Sequence, residues 1–159
     1  MTDLQLQLTD EGADLVLERG DVVLDHGLLT PVLVSLFSDA RARDEDELAA
    51  NQDPRGWWGA DAAEGGADYG SRLWLLARSK VTEETANQLR EHTLDALQWL
   101  LDQEIAAGID VDAARVGGER IDLTVQLRRG DAPRWSALWE GTEETTFEEG
   151  FVRVHLGAS

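Results

Sequence analysis

The sequence predicts an α+β fold, an antiparallel β-meander packed against one long helix, with a short N-terminal hairpin and helix. Three observations carry that expectation. Residues 120–128 alternate apolar and polar side chains, with Ile121, Leu123, Val125 and Leu127 on one face and Asp122, Thr124 and Gln126 on the other, the period of a half-buried strand. Residues 83–107 place Ala86, Leu89, Thr93, Ala96, Leu97, Leu100 and Leu101 at helical spacing. Strand patterns and helix patterns are also segregated along the chain, as α+β architectures require.

Taken in order, Leu4, Leu6 and Leu8 alternate with Gln5 and Gln7 as a strand would. Leu15-Val16-Leu17 and Val22-Val23-Leu24 flank Arg19-Gly20-Asp21, the signature of a hairpin. Thr30 is placed to cap a short helix with Pro31 at its first position, where the missing N–H costs nothing. Val32, Leu33, Leu36 and Phe37 would form its buried face, and the charged run from Asp39 would end it. Residues 39–70 read as a long irregular insert, rich in glycine and acids yet holding Trp57-Trp58 within RGWWG. The pair is read as an anchor of this loop onto the core in preference to a stacking platform.

Ser71–Ala77 is short and apolar, a helical turn. Thr82 then caps the long helix, Glu83 and Glu84 meet the positive end of its dipole, and Gly108 supplies the expected stop. Trp99 lies off the apolar stripe and so needs a second neighbour, either the loop or another subunit. Ile109, Val111 and Ala113 alternate with Asp110 and Asp112, and Gly117-Gly118 and Gly130-Asp131 mark turns. Trp135, Ala137 and Trp139 give the next inward face, and residues 151–156 alternate once more. One domain is expected over residues 1–141, with residues 142–159 a C-terminal extension whose short strand a partner orders.

Composition narrows the chemistry. With 42% hydrophobic and 29% charged residues the chain can build a core, and no cysteine is present, so disulfides, thiolate metal sites and cysteine nucleophiles are excluded. No apolar run approaches the length of a membrane span, and the first ten residues lack a secretory pattern, so a cytoplasmic site of synthesis is expected. The net charge of −18 repels nucleic acid and anionic membrane. It favours solubility first, then a basic partner or mimicry of DNA's phosphates. His26, His92 and His155 have no companions at metal-ligand spacing. Neither Walker A nor GxSxG is present. Asp44, Asp46 and Glu47 resemble a fragment of a calcium loop without its glycine and terminal glutamate, and read better as a solvated charge run. No catalytic residue, cofactor or metal is therefore expected.

The order of features carries a resemblance. DVVLDHGLLTPVLVSLFSDARA, RGWWG, GSRLWLLARSKVTEET, a helix ending QWLLDQEIA and the strand RIDLTVQL together resemble the Mu-like phage gene product 46 family over residues 14–140. That family is similar to the wedge and sheath-initiator proteins of contractile phage tails. The resemblance implies a non-enzymatic baseplate wedge subunit in the virion, assembled in the host cytoplasm and present in six copies. Its implied partners are other wedge subunits, hub, spike or tube proteins and the tail sheath, with no nucleic acid and no membrane insertion. The broader wedge proteins end the long helix with Glu-Pro-Arg, whereas this chain has Asp102-Gln103-Glu104-Ile105, so that motif's contacts do not transfer. The candidate interface residues are Trp57, Trp58, Trp99, Leu123, Val125, Leu127, Trp135 and Trp139. A DNA-mimic inhibitor is the alternative, and a cell-wall hydrolase is a third reading that no motif supports.

Overall fold

The computed structural model describes residues 3–4, 6–9, 12–22, 24–25, 27–56, 70–116, 120–130 and 151–157. Trp57, Trp58, Trp135, Trp139, His26 and the Gly117-Gly118 turn lie outside them.

The first 25 residues make three antiparallel pairs. β1 (Asp3–Leu4) pairs with β6 (Leu24–Asp25), β2 (Leu6–Thr9) with β3 (Gly12–Leu15), and β4 (Leu17–Glu18) with β5 (Asp21–Val22). The expected hairpin forms at β4–β5, where Arg19 and Gly20 both have positive φ, 53° and 85°. That pair of angles makes the I′-type turn whose twist matches the strands.

α1 (Leu29–Phe37) starts two residues earlier than expected. Leu28 occupies the N-cap without a side-chain bond, because the Thr30 hydroxyl instead donates to the Leu4 carbonyl (3.0 Å) and ties β1 to the helix. Leu28, Val32, Leu33 and Leu36 are buried, while Phe37, expected on that face, is 44% exposed. The chain then runs without helix or strand to Gly56 and returns at Gly70 beside the end of α1. A parallel bridge joins Asp39 and Ser71, with Ser71 N–H donating to Ser38 O (2.8 Å) and Ala40 N–H to Ser71 O (2.9 Å). Gly70 has φ +102°, and an added Cβ would overlap the Ser38 carbonyl, so this return requires glycine.

A 3-10 turn (Leu73–Leu76) leads to α2 (Glu83–Asp102). The Thr82 hydroxyl accepts from Thr85 N–H (3.1 Å), the expected cap. The stop differs from the expected Gly108. Glu104 adopts φ +58°, its N–H donates to Leu101 O (2.9 Å), and Ile105 N–H donates to Leu100 O (2.9 Å). These are the two bonds of a Schellman cap, and buried Leu100 and Ile105 supply its apolar contact. Gly108 falls inside the next strand, at a register shift.

β7 (Ala106–Val116), β8 (Arg120–Arg129) and β9 (Phe151–Gly157) form the antiparallel meander, in the order β7-β8-β9. The regular strand β8 is central, paired with β7 through Val111↔Val125 and with β9 through Val125↔Val152, so it has no edge to offer another chain. The C-terminal stretch, expected as an extension, contributes β9 to this chain's own sheet. Both helices cover one face: Leu33, Leu36, Leu89, Leu97 and Leu100 share a single apolar cluster with Ala113, Ile121, Leu123 and Val125. Each fully buried leucine contributes about 1.5–3 kcal/mol by removal from water. Among the described residues no helix is long and apolar enough to cross a membrane.

Candidate interaction surface

Trp99 projects from the side of α2 toward α1. Its indole Nε1–H donates to Ser35 Oγ (3.0 Å), and Ser35 in turn donates to Pro31 O (2.8 Å). The second neighbour is thus the first helix, not the loop or the other subunit that the sequence suggested, and the ring is half-buried there. Leu123 and Val125 are 0% exposed and face the helices, whereas Leu127 is half-buried against the same core. The side chains of Leu123 and Val125 are therefore already covered by this chain. Trp57, Trp58, Trp135 and Trp139 lie outside the described residues.

Sequence reasoning missed a second tryptophan arrangement. Trp74, in the 3-10 turn, donates from Nε1 to Ala40 O (2.8 Å) and carries the Arg55 guanidinium 4.5 Å from its ring centroid. Arg55 also pairs with Asp39 at 2.7 Å. A cation over an indole face is favourable by about 0.5–1 kcal/mol at such exposed sites. The contact fastens the irregular stretch 39–56 to the 3-10 turn.

Arg72 makes the stronger fastening. Its side chain is 7% exposed, with Nη1 2.7 Å from Asp46 Oδ1 and Nη2 2.7 Å from Asp95 Oδ2. Arg43 adds a contact to Asp95 at 3.2 Å, and its backbone N–H donates to Asp46 Oδ2. Burial alone would lower the Arg72 pKa, but its bonds to Asp95 and Asp46 outweigh that and raise it above the ordinary value. Asp46 is therefore a structural ligand of Arg72 rather than part of a solvated charge run. Beside the clamp, His92 is buried on α2 and its Nδ1 has no hydrogen-bond partner among the described residues. Burial, and then the nearby Arg72 charge, push the imidazole pKa down from 6.5.

Two surface clefts flank this region. One, about 300 Å³, opens between the end of α1, the 3-10 turn and the start of α2, with Phe37, Leu73, Trp74 and Val81 in its walls. The other, about 490 Å³, is polar and lies between residues 43–47, the 3-10 turn and α2. Among the described residues no group of three histidine, aspartate or glutamate side chains is placed to hold a metal ion. Among the described residues the sheet has edges at β7 and β9. Along β7 the Ala113 carbonyl accepts from Arg90 Nη2 of α2 (2.6 Å), so a side chain already occupies part of that edge.

Comparison with known proteins bears on which parts of this arrangement are shared. The family model described as phage protein GP46 matches residues 28–134, a span running from the start of α1 through both helices and past the end of β8. The chain is 38% identical over 132 residues to "Baseplate protein gp46" of Escherichia phage Mu, covering 82% of this chain and 90% of that protein. It is also 36% identical over 114 residues to "Mu-like prophage FluMu protein gp46" of Haemophilus influenzae, covering 72% of this chain and 77% of the relative. A match across both helices, β7 and β8, at such identity and coverage, shows that the chain belongs to the phage protein GP46 family.

Proposed function

We propose that the chain is a non-enzymatic structural subunit of a phage tail baseplate, residing in the virion after assembly in the host cytoplasm. The observation that carries this reading is the 38% identity, over 82% of the chain, to a protein named for the baseplate of phage Mu. In its finer form the subunit is a wedge component of a contractile tail, present in six copies around the hub or tube. It contacts neighbouring wedge subunits and offers a strand for attachment of the sheath. β9 suits strand addition better than the other two strands of the meander. β8 is paired on both sides, the β7 edge is partly taken by Arg90, and the outer edge of β9 has no partner strand among the described residues. The abundant carboxylates keep a free subunit with an open edge soluble. Trp57, Trp58, Trp135 and Trp139, with the exposed part of Trp99, are assigned the aromatic area that anchors partner contacts. The C-terminal extension, residues 142–159, is assigned to the same partner contact, the partner adding its strand along the outer edge of β9.

The DNA-mimic alternative gains no support from the carboxylate arrangement. Asp39, Asp46, Asp95, Asp110, Asp112 and Asp122 each pair with an arginine of the same chain, which removes them from any free row of phosphate-like charges. The experiment is coexpression of the tagged chain with the remaining tail genes. Purified tails should contain it at their distal end by immunogold labelling, and its gene's deletion should abolish sheathed tails. Normal tails without it would defeat the proposal.

A further inference from the structure

Two uncovered apolar surfaces sit on this one chain, at opposite ends of α1. The first is the β4–β5 hairpin, whose N-terminal unit is tied to the first turn of α1 where the Thr30 hydroxyl donates to the Leu4 carbonyl. Leu17 and Val22 are direct cross-strand partners there, so their side chains share a face, and they are 67% and 38% exposed. Glu18 and Asp21 form the neighbouring pair on the opposite face, both exposed, two like charges directly opposed and unfavourable without a cation. Neither they nor Arg19 at the turn forms an ion pair among the described residues. The second surface is the cleft of about 300 Å³ at the last turn of α1, walled by Leu36, Phe37, Leu73, Trp74, Leu76 and Val81. Asp39, a carboxylate in that wall, is already paired with Arg55. The lip is two-sided like the hairpin: Ala77, Ser79 and Val81 line the cleft, while Arg78 and Lys80 between them are exposed. In a chain of net charge −18 these two cations have no ion-pair partner among the described residues.

We propose that the hairpin of one copy seats in this cleft of a second copy, with Leu17 and Val22 against the apolar wall and Glu18 and Asp21 beside Arg78 and Lys80. Complementarity on two counts selects this occupant. The apolar pair needs an apolar receptor, and the opposed carboxylates need cations, of which the lip of the cleft supplies two that no carboxylate of its own chain has taken. The overall negative charge does not forbid the contact. At physiological ionic strength exposed charges more than about 8 Å apart are largely screened, so the local pairs decide. Hairpin and cleft are different patches, so the contact is head-to-tail and repeats from copy to copy, closing into a ring where the rotation permits. The inference deepens the assembly role by naming how neighbouring copies touch, and rests on that role only for its setting in a tail.

The chain has no cysteine, so introduced thiols report the contact without background. Full-length Leu17→Cys and Val81→Cys chains, mixed at about 0.2 mM because a contact below the standard interface size binds weakly, should give mixed disulfide-linked dimers under mild oxidation. Leu17→Cys mixed with Leu94→Cys, an exposed position on α2 outside the cleft, should not. Sedimentation over a concentration series then reads the charges. Glu18→Lys/Asp21→Lys lowers the net negative charge, so general repulsion alone would make self-association stronger, whereas this contact requires it to weaken about tenfold. Adding Arg78→Glu/Lys80→Glu to that variant restores both the wild-type net charge and the acid–base pairing, and should return the affinity to within about twofold of wild type. Circular dichroism and the thermal midpoint verify that each variant is folded. Cross-linking no better at Val81 than at Leu94, or charge reversal on the hairpin that strengthens association, would overturn the proposal. So would a bond formed within single Leu17→Cys/Val81→Cys chains at high dilution, which would make the chain's own hairpin the occupant. Tails assembling normally without the chain would remove the baseplate role while leaving this contact between copies standing.

Discussion

Removing the Arg72 guanidinium tests how the irregular stretch 39–56 is held to the helical core. Arg72→Met keeps the length and apolar stem of the side chain but deletes both ion pairs. It strands the Asp46 carboxylate, whose side chain is only 9% exposed, next to a newly apolar neighbour. Breaking a buried pair by removing one partner costs about 3–5 kcal/mol. The Asp95 arm adds little, because that side chain is 39% exposed and retains Arg43 at 3.2 Å. Asp46 also keeps the Arg43 backbone N–H, which softens its isolation and places the expected loss near the lower bound, about 3 kcal/mol. With a urea m-value of about 2 kcal/mol/M, the unfolding midpoint at pH 7 should fall by about 1.5 M. The partner change separates charge isolation from lost packing. Arg72→Met/Asp46→Asn removes the stranded charge, and should recover about 2 kcal/mol of the loss because a neutral pair is tolerated where half an ion pair is not. A single-variant loss below about 1 kcal/mol, or a double variant no more stable than the single, would refute the clamp as a buried and coupled unit.

Other expectations are narrower. His92 has its folded-state pKa lowered below 6.5, so it adds no pH dependence above that value. As the pH falls below 6.5 the unfolded chain takes up the proton before the folded chain does, and stability declines until the lowered pKa is reached. Urea unfolding of wild type and His92→Gln at pH 7, 6 and 5 should therefore show the wild type losing ground relative to the variant, and parallel curves would contradict the burial of a neutral ring. Trp99→Phe removes the indole donor to Ser35 while keeping most of the ring, and should cost about 1 kcal/mol by the same assay. Glu104→Gly relieves a left-handed residue at the helix end and should raise stability by about 0.5–1 kcal/mol, read as a higher thermal midpoint.

What the sequence made legible was whatever repeats locally. The alternation at 120–127 identified β8 and the parity that buries Ile121, Leu123 and Val125, because a strand with one covered face must sort its side chains with period two. Thr82-Glu83-Glu84 located the start of α2 to the residue, since a cap is a short-range bond between neighbours in sequence. The helix end was missed for a physical reason. The stop is a Schellman cap built on Glu104, and a glutamate in the left-handed region sends no signal comparable to a glycine. Thr30 misled in the opposite way: its hydroxyl serves a strand 26 residues away, and a capping rule reads only adjacent residues.

The candidate site divides along the same line. Trp99 was legible only in part: a large aromatic off the apolar stripe demands a second surface, but that surface is α1 and not the loop or another subunit, because helix packing across 64 residues has no local signal. The Arg72–Asp46–Asp95 clamp was not legible, because its members lie 26 and 23 residues apart and ion pairing has no period. Within the run Asp44 to Glu47 one carboxylate is nearly buried while its neighbours are exposed, a difference that composition cannot express. The only local hint was an arginine at the head of the apolar SRLWLLA, where a buried cation requires carboxylates from elsewhere. That requirement also explains why the acidic surface is more than a solubilising coat. Some of its charges are consumed within the chain by Arg72, Arg55 and Arg90.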